Sequence, residues 1–188
     1  MYNMKNSIAI ISLLMLMSVS CSNRQNTAPN VEDSLATEQV EESRPGYNIW
    51  DYKTSTDEMD DSKVQFAHLQ SENAKDLGYV DESRMHIIIR HREDNGDQVF
   101  INVDYGTFDV DRRREEANIR VRFGKEEPIS FKVRSLMGDD RSSVGLLKPS
   151  KFIEMAQESD TILIEAPFFR KSNQVFKFVS SKPLKWEN

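Results

Sequence analysis

Residues 85–105 read MHIIIRHREDNGDQVFINVDY. Met85, Ile87 and Ile89 alternate with His86, Ile88 and Arg90, and Val99, Ile101, Val103 and Tyr105 alternate with Phe100, Asn102 and Asp104. Period-two alternation marks a half-buried strand, because successive side chains of an extended chain point to opposite faces. Asn95-Gly96 between the two runs supplies the residues that tolerate positive φ in a tight turn, so the stretch predicts an antiparallel hairpin.

The same pattern extends in both directions. Toward the N-terminus, Val64, Phe66 and His68 alternate with Gln65 and Ala67. Toward the C-terminus, runs at Ile119–Phe123, Ile129–Arg134, Ile162–Ala166 and Phe176–Val179 repeat it, with a short strand expected at Leu146–Lys148. Gly124–Pro128 and Lys171–Asn173 predict two further hairpin turns, Pro128 falling where a strand's first N–H is dispensable. Pro149-Ser150 opens one short helix, to about Glu158, with Phe152, Ile153, Met155 and Ala156 as its apolar face. The reading is mainly β: an antiparallel β-sandwich or open barrel with one short helix near 150–158. Trp50, with Tyr52 beside it, and Trp186 are expected to close the two ends.

The chain has 188 residues, 38% of them hydrophobic, a net charge of −6 and one cysteine. One domain with an appendage is expected at this length. A single cysteine excludes an internal disulfide and any multi-cysteine zinc site. The acidic balance argues against nucleic acid as a partner. No Gly-rich phosphate loop, HExxH or GxSxG occurs, and no cofactor is implied.

The N-terminus, MYNMKNSIAIISLLMLMSVSCSN, has one cation at Lys5, an apolar run from Ile8 to Val19 and small residues before Cys21. This is the layout of a secretory signal, too short for a membrane span. It resembles a bacterial lipoprotein signal, which implies cleavage before Cys21 and acylation of that residue, palmitate among the chains; Ser18 stands where such signals usually carry Leu. A thiol consumed by lipid would not be left unpaired in an oxidising compartment. Several acyl chains, at ~0.8 kcal/mol per buried CH₂, make a permanent anchor. Three regions are expected: a signal peptide at 1–20, an anchor and disordered tether at 21–48, and a β domain at 49–188. Loss of Lys5 with the signal leaves 24 Lys and Arg against 31 acids, a net of −7. Residues 22–48, rich in Asn, Ser, Thr, Gln and Glu, bury too little to offset chain entropy, and as a flexible coil span ~30 Å. Ser22 after the cysteine implies, by the same resemblance, the outer membrane, with the periplasmic face preferred to the cell surface.

The residues offer four candidate chemistries. Asp57, Glu58, Asp60 and Asp61 crowd TDEMDDS without the Gly and distal Glu of a calcium loop, so a solvated turn pegged by Met59 is expected. His86 and His91 lie five apart on one strand and so on opposite faces; a metal site is not expected. Any Ser paired with a His lacks the elbow that would fix a base beside it. Arg120, Arg122, Lys132 and Arg134 occupy the outward face of one hairpin, opposite Ile119, Val121, Phe123, Ile129, Phe131 and Val133. Like charges across strands destabilise a sheet unless neutralised. Either Glu165 or Asp104 neutralises them, or the face binds an anion or an acidic partner. Arg112-Arg113-Arg114 adds a basic loop, flanked by acids on both sides.

Trp50-Asp51-Tyr52, Asp57-Glu58-Met59, Phe66-Ala67, Ser71-Glu72-Asn73, Gly106-Thr107-Phe108, Ile119–Phe123, Phe152-Ile153, Ile162–Glu165 and Phe176–Phe178 together resemble a group of small secreted or lipoprotein β-rich domains of bacteria and their phages. The opening Trp-x-Tyr and Asp-x-Met are also similar to type VI secretion accessory proteins. The resemblance implies a fold and an envelope location, and no activity. Relatives carry a cysteine pair around 108–118 that this chain lacks. The expected function is that of a membrane-anchored, non-enzymatic binding or accessory lipoprotein of the bacterial envelope. Its partners would be the membrane, through its lipid, and an acidic protein or anionic envelope component. The alternatives are an envelope hydrolase using Asp57, Asp60 and Asp104 with a histidine, and an immunity or phage-exclusion lipoprotein.

Overall fold

A computed structural model describes residues 49–59, 61–79, 82–111, 113, 116–136 and 141–187, and shows nine strands and one helix among them. The strands are β1 (Asp51–Thr56), β2 (Lys63–Gln70), β3 (Met85–Arg92), β4 (Gly96–Val103), β5 (Glu116–Phe123), β6 (Ile129–Ser135), β7 (Ser143–Leu146), β8 (Thr161–Ala166) and β9 (Gln174–Val179), with helix α1 (Pro149–Gln157) between β7 and β8. All pairings are antiparallel, and the strands form one open sheet in the order β1-β2-β3-β4-β7-β6-β5-β8-β9. The chain is therefore mainly β with a single short helix. Everything expected of residues 1–48, Cys21 included, lies outside the described residues, as do Asp60, Arg112 and Arg114.

The expected hairpins are present. Gly96 closes β3–β4 at φ +64° and Gly124 closes β5–β6 at φ +51°, left-handed conformations that glycine adopts without Cβ strain. The first four strands form a meander. Residues 104–111 then carry the chain past two strand positions to β5, and β5-β6-β7 run back until β7 meets β4. Helix α1 returns the chain to β8, on the other side of β5.

The two ends of the sheet are tied by segments outside the ladders. After β2, the Glu72 N–H donates to the Lys177 carbonyl (2.7 Å). The Asn73 side chain mimics a strand against β9, donating to the Val175 carbonyl (3.1 Å) and accepting from the Lys177 N–H (2.7 Å). These bonds satisfy backbone groups that an edge strand would leave open to another chain. The C-terminal tail reaches β1, where the Lys185 N–H donates to Tyr52 Oη (2.8 Å).

One core fills one side of the sheet. It takes Ile87, Ile89, Val99, Ile101, Ile119, Val121, Val133, Ile162, Ile164, Phe176 and Phe178 from the strands, and Phe152, Ile153 and Ala156 from α1. Phe152 meets Phe123 and Phe131 edge-on, with centroids 5.2 and 5.9 Å apart. The helix starts with Pro149 after a Lys148 N-cap that makes no side-chain bond, so Ser150 is not the cap. Proline's fixed φ and missing N–H suit that first position. Trp50 and Trp186 are buried, as expected of plugs.

Five local expectations are corrected. β1 has no apolar alternation and was not foreseen; its ladder to β2 makes it a strand. In β2, Ala67 and Leu69 reach the core, while Phe66 and His68 lie on the outer face, in register with Arg90 and Ile88. The short strand falls at Ser143–Leu146 rather than 146–148. Met59 is 93% exposed and pegs nothing, and Tyr105, beyond the end of β4, is also exposed. The β1–β2 turn is instead held by Asp57, whose Oδ1 accepts the Met59 N–H (3.0 Å).

Candidate functional site

The outer face of β2-β3-β4-β7 carries what the sequence reading missed. By strict alternation Phe66, Ile88, Arg90, Phe100 and Asn102 point away from the core. Ile88 is paired with Phe100, and Phe100 with Gly145 of β7. With Leu136, which follows β6, these side chains line an open groove of about 500 Å³ running across the strands. Gly145 makes room for it: a Cβ there would lie 2.9 Å from Leu136 Cδ2 and 3.6 Å from Phe100 Cδ1. Arg90 Cζ lies over the Phe100 ring, 4.9 Å from its centre, and both Nε (3.0 Å) and Nη2 of Arg90 donate to Gln98 Oε1.

Next to the groove, three titratable groups form a relay. The rings of His68 on β2 and His86 of β3 lie edge to edge, centres 5.1 Å apart and 16° from parallel. His68 Nε2 lies 2.9 Å from His86 Nδ1, and His86 Nε2 lies 2.7 Å from Asp104 Oδ1. The Arg84 N–H donates to the second oxygen of Asp104 (3.0 Å). With both rings neutral, one chain of donors satisfies every link: His68 Nε2–H to His86 Nδ1, then His86 Nε2–H to Asp104. One added proton can sit at the outer end, on His68 Nδ1. A second forces two N–H groups to face each other and breaks the ring–ring bond.

Burial lowers the pKa of His68 below its ordinary value, helped by the charge of His86 and opposed by Asp51. Burial pushes Asp104 up, but hydrogen bonds from His86 and the Arg84 backbone outweigh it, and the net shift is downward. A folded-state pKa below the unfolded one means that the unfolded chain binds protons first. The His68 contribution to stability is therefore complete above its unfolded pKa of about 6.5 and is lost as pH falls through the folded value. The expected result is that stability measured by urea unfolding declines as pH drops below about 6.5, and that His68→Gln flattens this decline. An unchanged pH slope in the variant would show that His68 does not titrate as described.

The residues singled out in the sequence are placed as follows. Arg120, Arg122, Lys132 and Arg134 do share the outer face of β5–β6, with Ile119, Val121, Phe131 and Val133 behind them. Arg120 pairs with Glu165 at 2.9 Å, and Glu116 takes Arg134 at 3.0 Å and Lys132 at 4.0 Å. Among the described residues only Arg122 of the four has no carboxylate partner. Glu116, not Asp104, joins Glu165 as neutraliser, because Asp104 follows β4, which pairs with β3 and β7 and not with β5 or β6. A polar cleft of about 180 Å³ beside them is lined by Asp111, Glu116, Ala117, Asn118 and Lys132, two carboxylates against one lysine.

Asp57 and Asp104 do not converge. Asp57 lies by Arg92 at one end of β3, and Asp104 by Arg84 and His86 at the other. Seven residues of strand separate those ends, roughly 23 Å. His91 faces inward, its Nδ1 2.9 Å from Asp97, which also accepts from the Trp186 indole (3.2 Å). Among the described residues no hydroxyl is hydrogen-bonded to His68 or His86, and no group of three His, Cys, Asp or Glu is placed to hold a metal ion. No helix among them is long and apolar enough to cross a membrane.

No family model, curated protein or solved structure matches the chain. The class that the geometry itself defines is an open antiparallel β domain with an apolar groove on the face away from its core.

Proposed function

We propose that this protein is a membrane-anchored, non-enzymatic binding or accessory lipoprotein of the bacterial envelope. It is held by lipid at Cys21, on the periplasmic face of the outer membrane. The single observation that carries the binding reading is the groove over Phe66, Ile88, Phe100 and Leu136. Half-exposed apolar side chains side by side on the solvent face of a sheet mark a contact surface, because an outward face is otherwise polar. Two of the candidate acids of a hydrolase, Asp57 and Asp104, sit at opposite ends of a strand. The basic hairpin is a weaker contact surface, since exposed ion pairs occupy three of its four cations.

Both parts are testable. Cys21→Ala should move the protein from the membrane to the soluble fraction with loss of lipid label; unchanged fractionation would overturn the anchor. Photo-crosslinking from the groove in intact cells tests the contact surface, and absence of any crosslinked protein there would overturn the binding reading.

A further inference from the structure

We infer that the groove binds a short peptide segment of a partner protein, one that carries an apolar side chain and a neighbouring carboxylate. This rests on the binding reading and names the chemistry of its partner. The apolar part follows from the lining. Ile88 and Phe100 face each other across β3 and β4, and Leu136 continues the line over Gly145. From β2 to β7 that line crosses three strand spacings, roughly 14 Å, the span of about four extended residues.

The carboxylate follows from Arg90. The other arginines at the margins of this face are matched: Arg92 with Asp94 (3.2 Å) and Asp57 (3.8 Å), Arg134 with Glu116 (3.0 Å). Among the described residues Arg90 has no carboxylate partner. Its guanidinium is nevertheless held in place, with two N–H groups on neutral Gln98 and its Cζ over the Phe100 ring. Three of its five donors remain, in a fork that fits a carboxylate, and little side-chain freedom is left to lose on binding. Asn102, on the groove floor, has a buried Oδ1 with no partner among the described residues, which a peptide N–H would satisfy after a small side-chain rotation. The groove is open along its length, so it cannot enclose the 70–90% of a small ligand's surface that such ligands usually bury. A segment already held by a larger partner needs no such enclosure.

The test is selection of a displayed random 12-residue peptide library against the whole chain, followed by titration of the best peptide. Selected peptides should be enriched at least about threefold in Asp or Glu beside an aliphatic or aromatic residue. Arg90→Gln should weaken the best peptide about tenfold or more, the usual scale for one charge-assisted pair, and remove the acidic enrichment from a repeat selection. Arg122→Gln should do neither. Peptides without acidic enrichment, equal affinity for Arg90→Gln, or recovery of none that binds would overturn the inference. Binding of anionic phosphatidylglycerol vesicles through Arg90, with no peptide selected, would overturn it in favour of lipid. If the peptide inference fails while in-cell crosslinking from position 100 still yields a protein, the binding reading survives its loss.

Discussion

Phe152→Ala is expected to lower the unfolding free energy by about 3–5 kcal/mol, the range for emptying a phenylalanine site in a packed core. Phe152 is wholly buried and, with Ile153 and Ala156, seats α1 in the core. Its ring sits edge-on to both Phe123 and Phe131, arrangements worth a further increment beyond burial. The backbone cannot close the gap easily. Pro149 fixes the start of the helix, and its last turn is tied to the tail by the Leu184 N–H to the Ala156 carbonyl (3.1 Å) and by Gln157 Nε2 to the Trp186 carbonyl (2.7 Å). With domain stability usually about 5–15 kcal/mol, the variant should melt roughly 10 °C lower. Calorimetry or urea unfolding checks it, with Met59→Ser as a neutral comparison. A loss under about 1 kcal/mol would mean that the helix is not packed in the core as described.

Gly145→Val is expected to leave the fold intact and abolish partner binding. The Gly145 backbone is not in the left-handed region, so a side chain is sterically allowed there, and β-branched residues suit strands. The new methyl groups would point outward between Phe100 and Arg134, the strand neighbours of position 145. Contact at 2.9 Å from Leu136 Cδ2 forces that half-exposed side chain to swing, and the added volume occupies the groove. Unfolding should change by less than about 1 kcal/mol, as for a substitution away from the core. Affinity for a selected peptide should fall more than about tenfold, since an occluded site loses both its apolar contacts and access to Arg90.

Alternation was strong enough in the sequence to reveal seven of the nine strands, because a sheet with one wet face must alternate along its length. It failed where tertiary pairing, not local pattern, decides. DYKTST is a strand only because β2 lies beside it. In KVQFAHLQ, Phe66 is the most apolar residue yet faces outward, since Ala67 and Leu69 fill the space opposite Ile89 and Ile87. That inversion hid the groove. Assigning Phe66 to the core removes one wall of a site whose other walls come from β3, β4 and the end of β6. The histidine pair was hidden for a related reason. His68 and His86 are 18 residues apart and meet only through the register of β2 with β3. The basic hairpin was legible because it is local, but its neutralisation was only half legible. Glu165 was foreseen; Glu116 was not, although it opens the same strand as Arg120.

The most direct test of the central claim is photo-crosslinking in intact cells from a benzophenone amino acid placed at position 100 or, separately, at position 122. A binding module acting through the groove should give one discrete crosslinked envelope protein from position 100, none from position 122, and none from position 100 once Gly145→Val is added. Equal crosslinking from the two positions, or an unchanged product in the Gly145→Val background, would contradict it.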